Sequence, residues 1–450
     1  MNGKDLLRVA ALLSILPLLL LGCGLLLPAQ YADSYSAALT LKLACLDAPN
    51  EKPRIVVVGG SAAAFGVDSA LMAEALPEYE TVNFGLYAGL GMPLMMELAQ
   101  TALRPGDLLL VMPEQQPQAL SDYFNAPMTL QAFDGQLPAL SRVDGRHAVQ
   151  LAAAFPSFAM DKLRYVLTGS SPAPDPVYCR ASFDARGDLR NAAVAANRMP
   201  GGWDREMPIS LTQASVPDAG FLTCLRQLTS AAEQAGGRVL YVFCPMNEAA
   251  LTADSDADAY YEALDALLPC PILGDPHDSV MAAGWFYDTN FHLNDSGRTV
   301  YMRALVRALK AELGDSTPTA IALPVMPEPA AAVHAAGDQR DAACFLWEER
   351  GGRAVLTGVT EQGKRRTSLL IPTEVAGCPV TAMESGLFAG CAALTEIRLQ
   401  WPQPGSCTVG AGLLEGAPEE LRIVTPAGSA GAYRLNYFWS VYAAQIEEGE

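Results

Sequence analysis

Ser61 closes the run Ile55-Val56-Val57-Val58-Gly59-Gly60-Ser61 and is the residue of this chain best supplied to act as a nucleophile. Four β-prone apolar residues leading into two glycines describe a buried parallel strand that turns sharply at its carboxyl end, where open α/β sheets bind ligands. A serine delivered there, with a helix just beyond, brings its hydroxyl and its own N–H to one small site. That is half of a nucleophile and oxyanion arrangement. The bland alternative is a tight strand-to-helix turn capped by serine. Neither G-x-G-x-x-G nor a P-loop lysine is present, and Gly59-Gly60-Ser61-Ala62-Ala63 lacks the last glycine of the G-x-S-x-G elbow.

The other half is a base. Of the four histidines, His147, His277, His292 and His334, only His292 lies in Asp288-Thr289-Asn290-Phe291-His292, with a carboxylate four residues earlier to orient the imidazole and hold its tautomer. A polar loop leading into a final helix is a fitting place for it. Asn83, Glu114 and Asn290 are candidate substrate contacts beside these groups. The wide spacings of the histidines and cysteines give no metal site, and no cofactor is implied.

The elements that must position these residues follow a strand-helix rhythm. After Ser61 the pattern predicts a helix over 68–76 and a strand over 79–83, then the turn Asn83-Phe84-Gly85-Leu86-Tyr87-Ala88-Gly89-Leu90-Gly91. Such a turn can aim a backbone N–H, from Gly85 or Gly89, into the site beside Ser61. Pro93 opens a helix to about 103, and a strand over 108–112 runs into Met112-Pro113-Glu114-Gln115. Residues 117–217 break the rhythm as an insertion placed to cover the site, with a helix over 149–167 and a polar patch carrying Asp184, Arg186 and Asp188. The rhythm returns with a helix over 218–235, a strand over 238–244, a helix over 257–268, a short strand over 271–273 and a closing helix over 297–313. This alternation is the signature of a parallel sheet with right-handed crossovers.

Bulk composition sets the frame. The 450 residues are enough for two or three units with proper cores, and 50% hydrophobic against 18% charged residues is globular. A net charge of −19 repels polyanions, which excludes nucleic acid as a partner. The ten cysteines include no C-x-x-C and form no dense disulfide pattern. Lys4 and Arg8 precede an uncharged stretch over 9–32. Its apolar part is about twenty residues long, the length of a membrane-crossing helix. The basic flank belongs in the cytoplasm, so 1–32 reads as a single-pass signal anchor at the cell membrane with the bulk of the chain extracellular. Leu20-Leu21-Gly22-Cys23 offers a lipoprotein anchored at Cys23 as the alternative.

Together the blocks GGSAAAFG at Ser61, NFGLYAGLG and DTNFHLNDSG resemble the SGNH, or GDSL-type, hydrolase superfamily over about residues 54–313. The resemblance implies a three-layer α/β/α parallel sheet, flavodoxin-like in class, across 33–314. It also implies Ser61 as nucleophile, His292 as base, Asp288 as its orienter, and an oxyanion site built from the N–H groups of Ser61 and of Gly85 or Gly89. Two departures stand out. Where the family supplies an asparagine donor this chain has Glu114-Gln115, so Gln115 donates instead, Glu114 is held protonated, or the site does something else. The family's aspartate also precedes its histidine by three residues, not four. A tethered N-terminus and large insertion look most like the envelope proteins that move acyl groups on polymers.

Residues 315–342 are rich in Ala, Pro and Asp and read as a linker. Beyond it, over 343–450, Leu370-Ile371-Pro372, Phe388-Ala389-Gly390-Cys391 and Leu394-Thr395-Glu396-Ile397-Arg398-Leu399 resemble the surface-protein type of leucine-rich repeat, with a second copy at 409–416. About two repeats are few for an independent solenoid, so this tail should lean on its neighbours. The expected function is a membrane-anchored serine esterase or O-acyltransferase acting on acylated envelope carbohydrate. The rival is a non-catalytic surface protein that binds glycan or protein partners through the repeat module.

Overall fold

Strand β1 (Arg54–Gly59) is buried along its whole length, as its unbroken apolar run requires. The computed structural model describes residues 17–169, 175–329 and 339–449, apart from 351, 403, 411 and 437. Within it β1 pairs in parallel with β2 (Glu80–Gly85) on one side and β3 (Leu108–Met112) on the other, and β3 pairs with β4 (Arg238–Val242). A two-residue strand β5 (Met246–Asn247) pairs with β7 (Val280–Met281), while β6 (Ile272–Leu273) closes the main sheet, whose order is β2-β1-β3-β4-β6. The chain therefore runs outward in both directions from the β1/β3 boundary, and the crevice beyond the carboxyl ends of these two strands is where such sheets hold ligands. In register, Gly59 sits level with both Gly85 and Met112, so the residues that follow all three strands leave the sheet side by side.

Helices α1 (Ala38–Asp47), α2 (Ser61–Gly66), α3 (Ser69–Ala75) and α4 (Met92–Gln100) precede β3, and α5 (Ala126–Ala132) and α6 (Ala148–Thr168) follow it. Helix α7 (Ala219–Gln234) packs on α4, and the last helix, α9 (Asp295–Glu312), which comes after α8 (Ala257–Asp265), packs on α2 and α3. The result is a mixed α/β body with a parallel sheet. At the amino end of the sheet the buried Arg54 guanidinium donates to both Asp107 oxygens and to the carbonyls of Leu46 and Ala102, which ties α1 and the α4–β3 turn to β1.

The insertion is no detached cover, because Val177, Phe183, Leu189, Val194, Ile209 and Leu211 are buried in the same core as the strands. Asp188, from the polar patch of the insertion, is fully buried and accepts hydrogen bonds from the backbone and hydroxyl of Ser69 and from Asn83. The expected membrane anchor, 1–32, falls in part outside the described residues. Among the described residues no helix is long and apolar enough to cross a membrane, since the helical turns cover only 17–26, and residues 1–16 of the expected anchor lie outside the described residues.

The tail has its own core. Strands β8 (Phe345–Glu349) and β9 (Ala354–Val359) form an antiparallel pair, β9 pairs in parallel with β12 (Cys378–Met383), and β12 pairs in parallel with β14 (Thr408–Val409) and antiparallel with β11 (Glu374–Val375). A second parallel ladder stacks β10 (Ser368–Leu370), β13 (Glu396–Arg398), β15 (Arg422–Thr425) and β16 (Ile446–Glu448). Before β16 comes a short helix, α10 (Ala430–Leu435).

Candidate functional site

Ser61 is the first residue of α2 and is almost wholly buried. Its N–H and that of Ala62 are among the helix-start donors that have no acceptor within the helix. Glu114, the second residue past β3, meets the second of these and the serine side chain: its Oε1 accepts the Ala62 N–H at 2.8 Å and the Ser61 hydroxyl at 3.0 Å. Burial pushes the Glu114 carboxyl above its ordinary range, against the opposing pull of the Ala62 N–H, His292 and Ser61.

His292 stands in a folded-back loop. The Tyr287 N–H donates to the His292 carbonyl at 2.7 Å, and the Thr289 hydroxyl accepts from the N–H groups of Phe291 and His292. This closure is what lets an aspartate four residues back reach the ring: Asp288 Oδ1 lies 2.9 Å from His292 Nδ1. The Tyr178 hydroxyl donates to Asp288 Oδ2 at 2.7 Å and sits 2.9 Å from the same Nδ1. With both oxygens facing Nδ1, the ring carries its proton there, which leaves the Nε2 lone pair as the base. Asn294 fixes the loop from below, capping α9 through Gly297 N–H and donating to the Gly284 and Phe286 carbonyls.

The two halves meet on α2. Phe65, one turn on from Ser61, stacks on the imidazole with centroids 4.2 Å apart and rings 4° from parallel. His292 thus lies over the helix that Ser61 begins. The two are not hydrogen-bonded to each other, because the Ser61 hydroxyl is directed to Glu114.

Other candidates are committed elsewhere. The Gln115 amide donates to the Ser210 and Ser215 carbonyls, and its oxygen accepts from Tyr260, so it does not reach an oxyanion near Ser61. The Gly85 N–H donates to Asn83 Oδ1, and a Cβ at Gly85 would lie 2.3 Å from that of Ala63. Gly85 is there to let β2 approach α2. Asn83 itself is fully buried and donates to Asp188, so it holds structure instead of facing substrate. Asn290 is likewise buried, binding the Asp204 backbone on both sides and the Met207 carbonyl. Gly89 lies in a short turn on the wall of a cavity of about 820 Å³, which Phe291 also lines beside His292. The far wall of this cavity comes from the tail, including Arg434, Phe438 and Val441.

Tyr178, Tyr35 and Phe65 were missed by sequence reasoning. Phe65 carries a usable signal, since it shares a helix face with Ser61. Tyr178 and Tyr35 carry none, for they reach the site from the insertion and from the chain ahead of α1. No family model and no curated protein matches this chain. Among solved structures, the X-ray structure of the protein YxiM from Bacillus subtilis matches at 12% identity with a TM-score of 0.29, covering 59% of this chain and 58% of that one, and nothing about fold or activity follows from so distant a likeness.

Proposed function

We propose that this chain is a serine esterase or O-acyltransferase acting on acyl groups of envelope or extracellular carbohydrate, with the three-layer architecture of the SGNH superfamily. The observation that carries this reading is the Asp288–His292 pair, its ring stacked on the helix that begins with Ser61. A serine, a base with its Nε2 lone pair free, and a carboxylate orienting that base form a serine-hydrolase constellation, which is recognised by geometry and role. On substrate binding the Ser61 hydroxyl turns from Glu114 to His292 Nε2 and attacks the ester carbonyl. The imidazolium, stabilised by Asp288, returns the proton to the leaving oxygen, and water or a sugar hydroxyl then takes the acyl group.

A second reading has a specific observation in its favour. Ser61 is bonded to Glu114 and not to His292, which suits a non-catalytic domain whose work is done by the tail. Fluorophosphonate labelling separates the two. Labelling of the wild type that disappears in Ser61→Ala supports the enzyme, and a folded wild type that does not label favours the binder.

A further inference from the structure

Two of the buried side-chain polar atoms without a hydrogen-bond partner among the described residues are Tyr35 Oη and Glu114 Oε2. Such atoms are rare in native proteins, and each calls for an explanation. Both belong to the site. The Tyr35 ring packs at 5.4 Å on Tyr178, which holds His292 and Asp288, and at 5.8 Å on Tyr87. Glu114, Tyr87 and Asp288 all act electrostatically on the buried Tyr35 hydroxyl, and its ring contact with Tyr178 sets it beside the histidine side of the site.

The two oxygens of Glu114 differ in their bonding. Oε1 accepts two donors, as a carbonyl oxygen does, while Oε2 accepts none. A Cβ at residue 60 would lie 2.4 Å from Oε2 and 2.6 Å from Oε1, so only glycine leaves the carboxyl its place. Burial favours the neutral carboxyl, and with its hydrogen on Oε2 that carboxyl leaves Oε1 to accept both donors and has one O–H to give. The groups around it are Ser61 and the Ala62 N–H on α2, Tyr35 ahead of α1, His292 ahead of α9 and Cys244 after β4.

We propose that the Tyr35 hydroxyl and the Glu114 carboxyl, carrying its hydrogen on Oε2, are the two O–H donors that bind the acyl carbonyl oxygen as it becomes an oxyanion. This rests on Ser61 being the nucleophile. As the Ser61 Oγ–carbon bond forms, the Ser61 proton passes to His292 Nε2 and the carbonyl electron pair moves onto oxygen, where the two donors meet it. Collapse restores the carbonyl and breaks the bond to the leaving oxygen, which takes the proton from His292. A phenol paired with a protonated carboxylic acid is a known solution to this problem in an unrelated isomerase. It replaces the missing asparagine donor here, which Gln115 does not.

The test uses the full chain and reads fluorophosphonate labelling rate, ester turnover and melting temperature together. Tyr35→Phe removes one donor and lowers the labelling rate and kcat about 10²-fold, with KM little changed. Its melting temperature does not fall, because the hydroxyl it deletes has no partner. Glu114→Gln keeps an acceptor and a donor on the same two positions and stays within about tenfold of wild type, whereas Glu114→Ala falls as far as Tyr35→Phe. A wild type labelled at Ser61 whose Tyr35→Phe form reacts as fast overturns this proposal alone. So does a Glu114→Gln variant as slow as Glu114→Ala, which would mean that Glu114 works ionised. A folded wild type that does not label overturns the nucleophile reading and this proposal with it.

Discussion

Asp204 shows what burial does to a single carboxyl in this chain. It is 2% exposed, its Oδ1 accepts only the Glu206 N–H, and its Oδ2 has no partner. Desolvation, helped by the nearby charges of Glu206 and Asp288, pushes it up to about 7. The folded state therefore keeps a proton that the unfolded chain gives up near pH 4, so stability is fullest below that point and declines until the folded group ionises near 7. A rise of this size corresponds to on the order of 4 kcal/mol across the window. Asp204→Asn should remove that part of the decline, and thermal melts of both proteins at pH 5 and pH 8 check it: the gap between the two pH values narrows in the variant. At this scale Ser61, Asp288 and His292 were legible because their signals are local, a strand running into glycines and a short acid-to-histidine spacing. Gln115 was visible as a residue, but the direction of its amide was set by Ser210, Ser215 and Tyr260, which no neighbouring position announces.

Among the elements, the tail gives the sharpest case of a fold held by a repeated contact. Leu369, Ile397, Ile423 and Ile446 occupy matching positions on β10, β13, β15 and β16 and are each at most 1% exposed, a continuous aliphatic column. Ile423 is packed from both sides, so Ile423→Ala leaves a cavity that the column cannot close and should cost about 2–5 kcal/mol. A drop in the melting temperature of the tail with Ser61 labelling unchanged is the expected result, since the sheet of the α/β body has a separate core. About two copies of a leucine-rich-type repeat are expected from the sequence, and among the described residues this ladder has four strands. Each rung is only three or four residues long, too short for periodicity to register. The longer strands suffer no such loss: β3 spans the 108–112 expected of it, because five apolar residues between clear breakers leave little choice.

The whole molecule is tied together at places that pattern reading does not reach. Asp134, just past α5, accepts the Lys162 ammonium from α6 at 2.6 Å and the N–H groups of Gln30 and Tyr31, while Lys162 also donates to the Gly24 carbonyl. Lys162 is 1% exposed. Lys162→Met strands the Asp134 carboxylate, and losing one partner of a buried pair costs about 3–5 kcal/mol, to be read as a lower melting temperature and faster proteolysis ahead of residue 31. The second junction is the cavity between body and tail. Its volume of about 820 Å³ falls within the range of small-molecule sites, and its walls bring Gly89 and Phe291 from the body face to face with Phe438 and Val441 from the tail. For a polymeric substrate whose chain beyond the reacting ester enters this cavity, only long substrates feel the tail wall. Val441 is 68% exposed, so Val441→Asp should fold normally while placing a charge on an apolar surface. The expected outcome is a KM for acylated polysaccharide raised on the order of tenfold, about 1.4 kcal/mol, with kcat and the hydrolysis of a small chromogenic acetate unchanged. Equal effects on both substrates would place the defect at Ser61 and not along the tail.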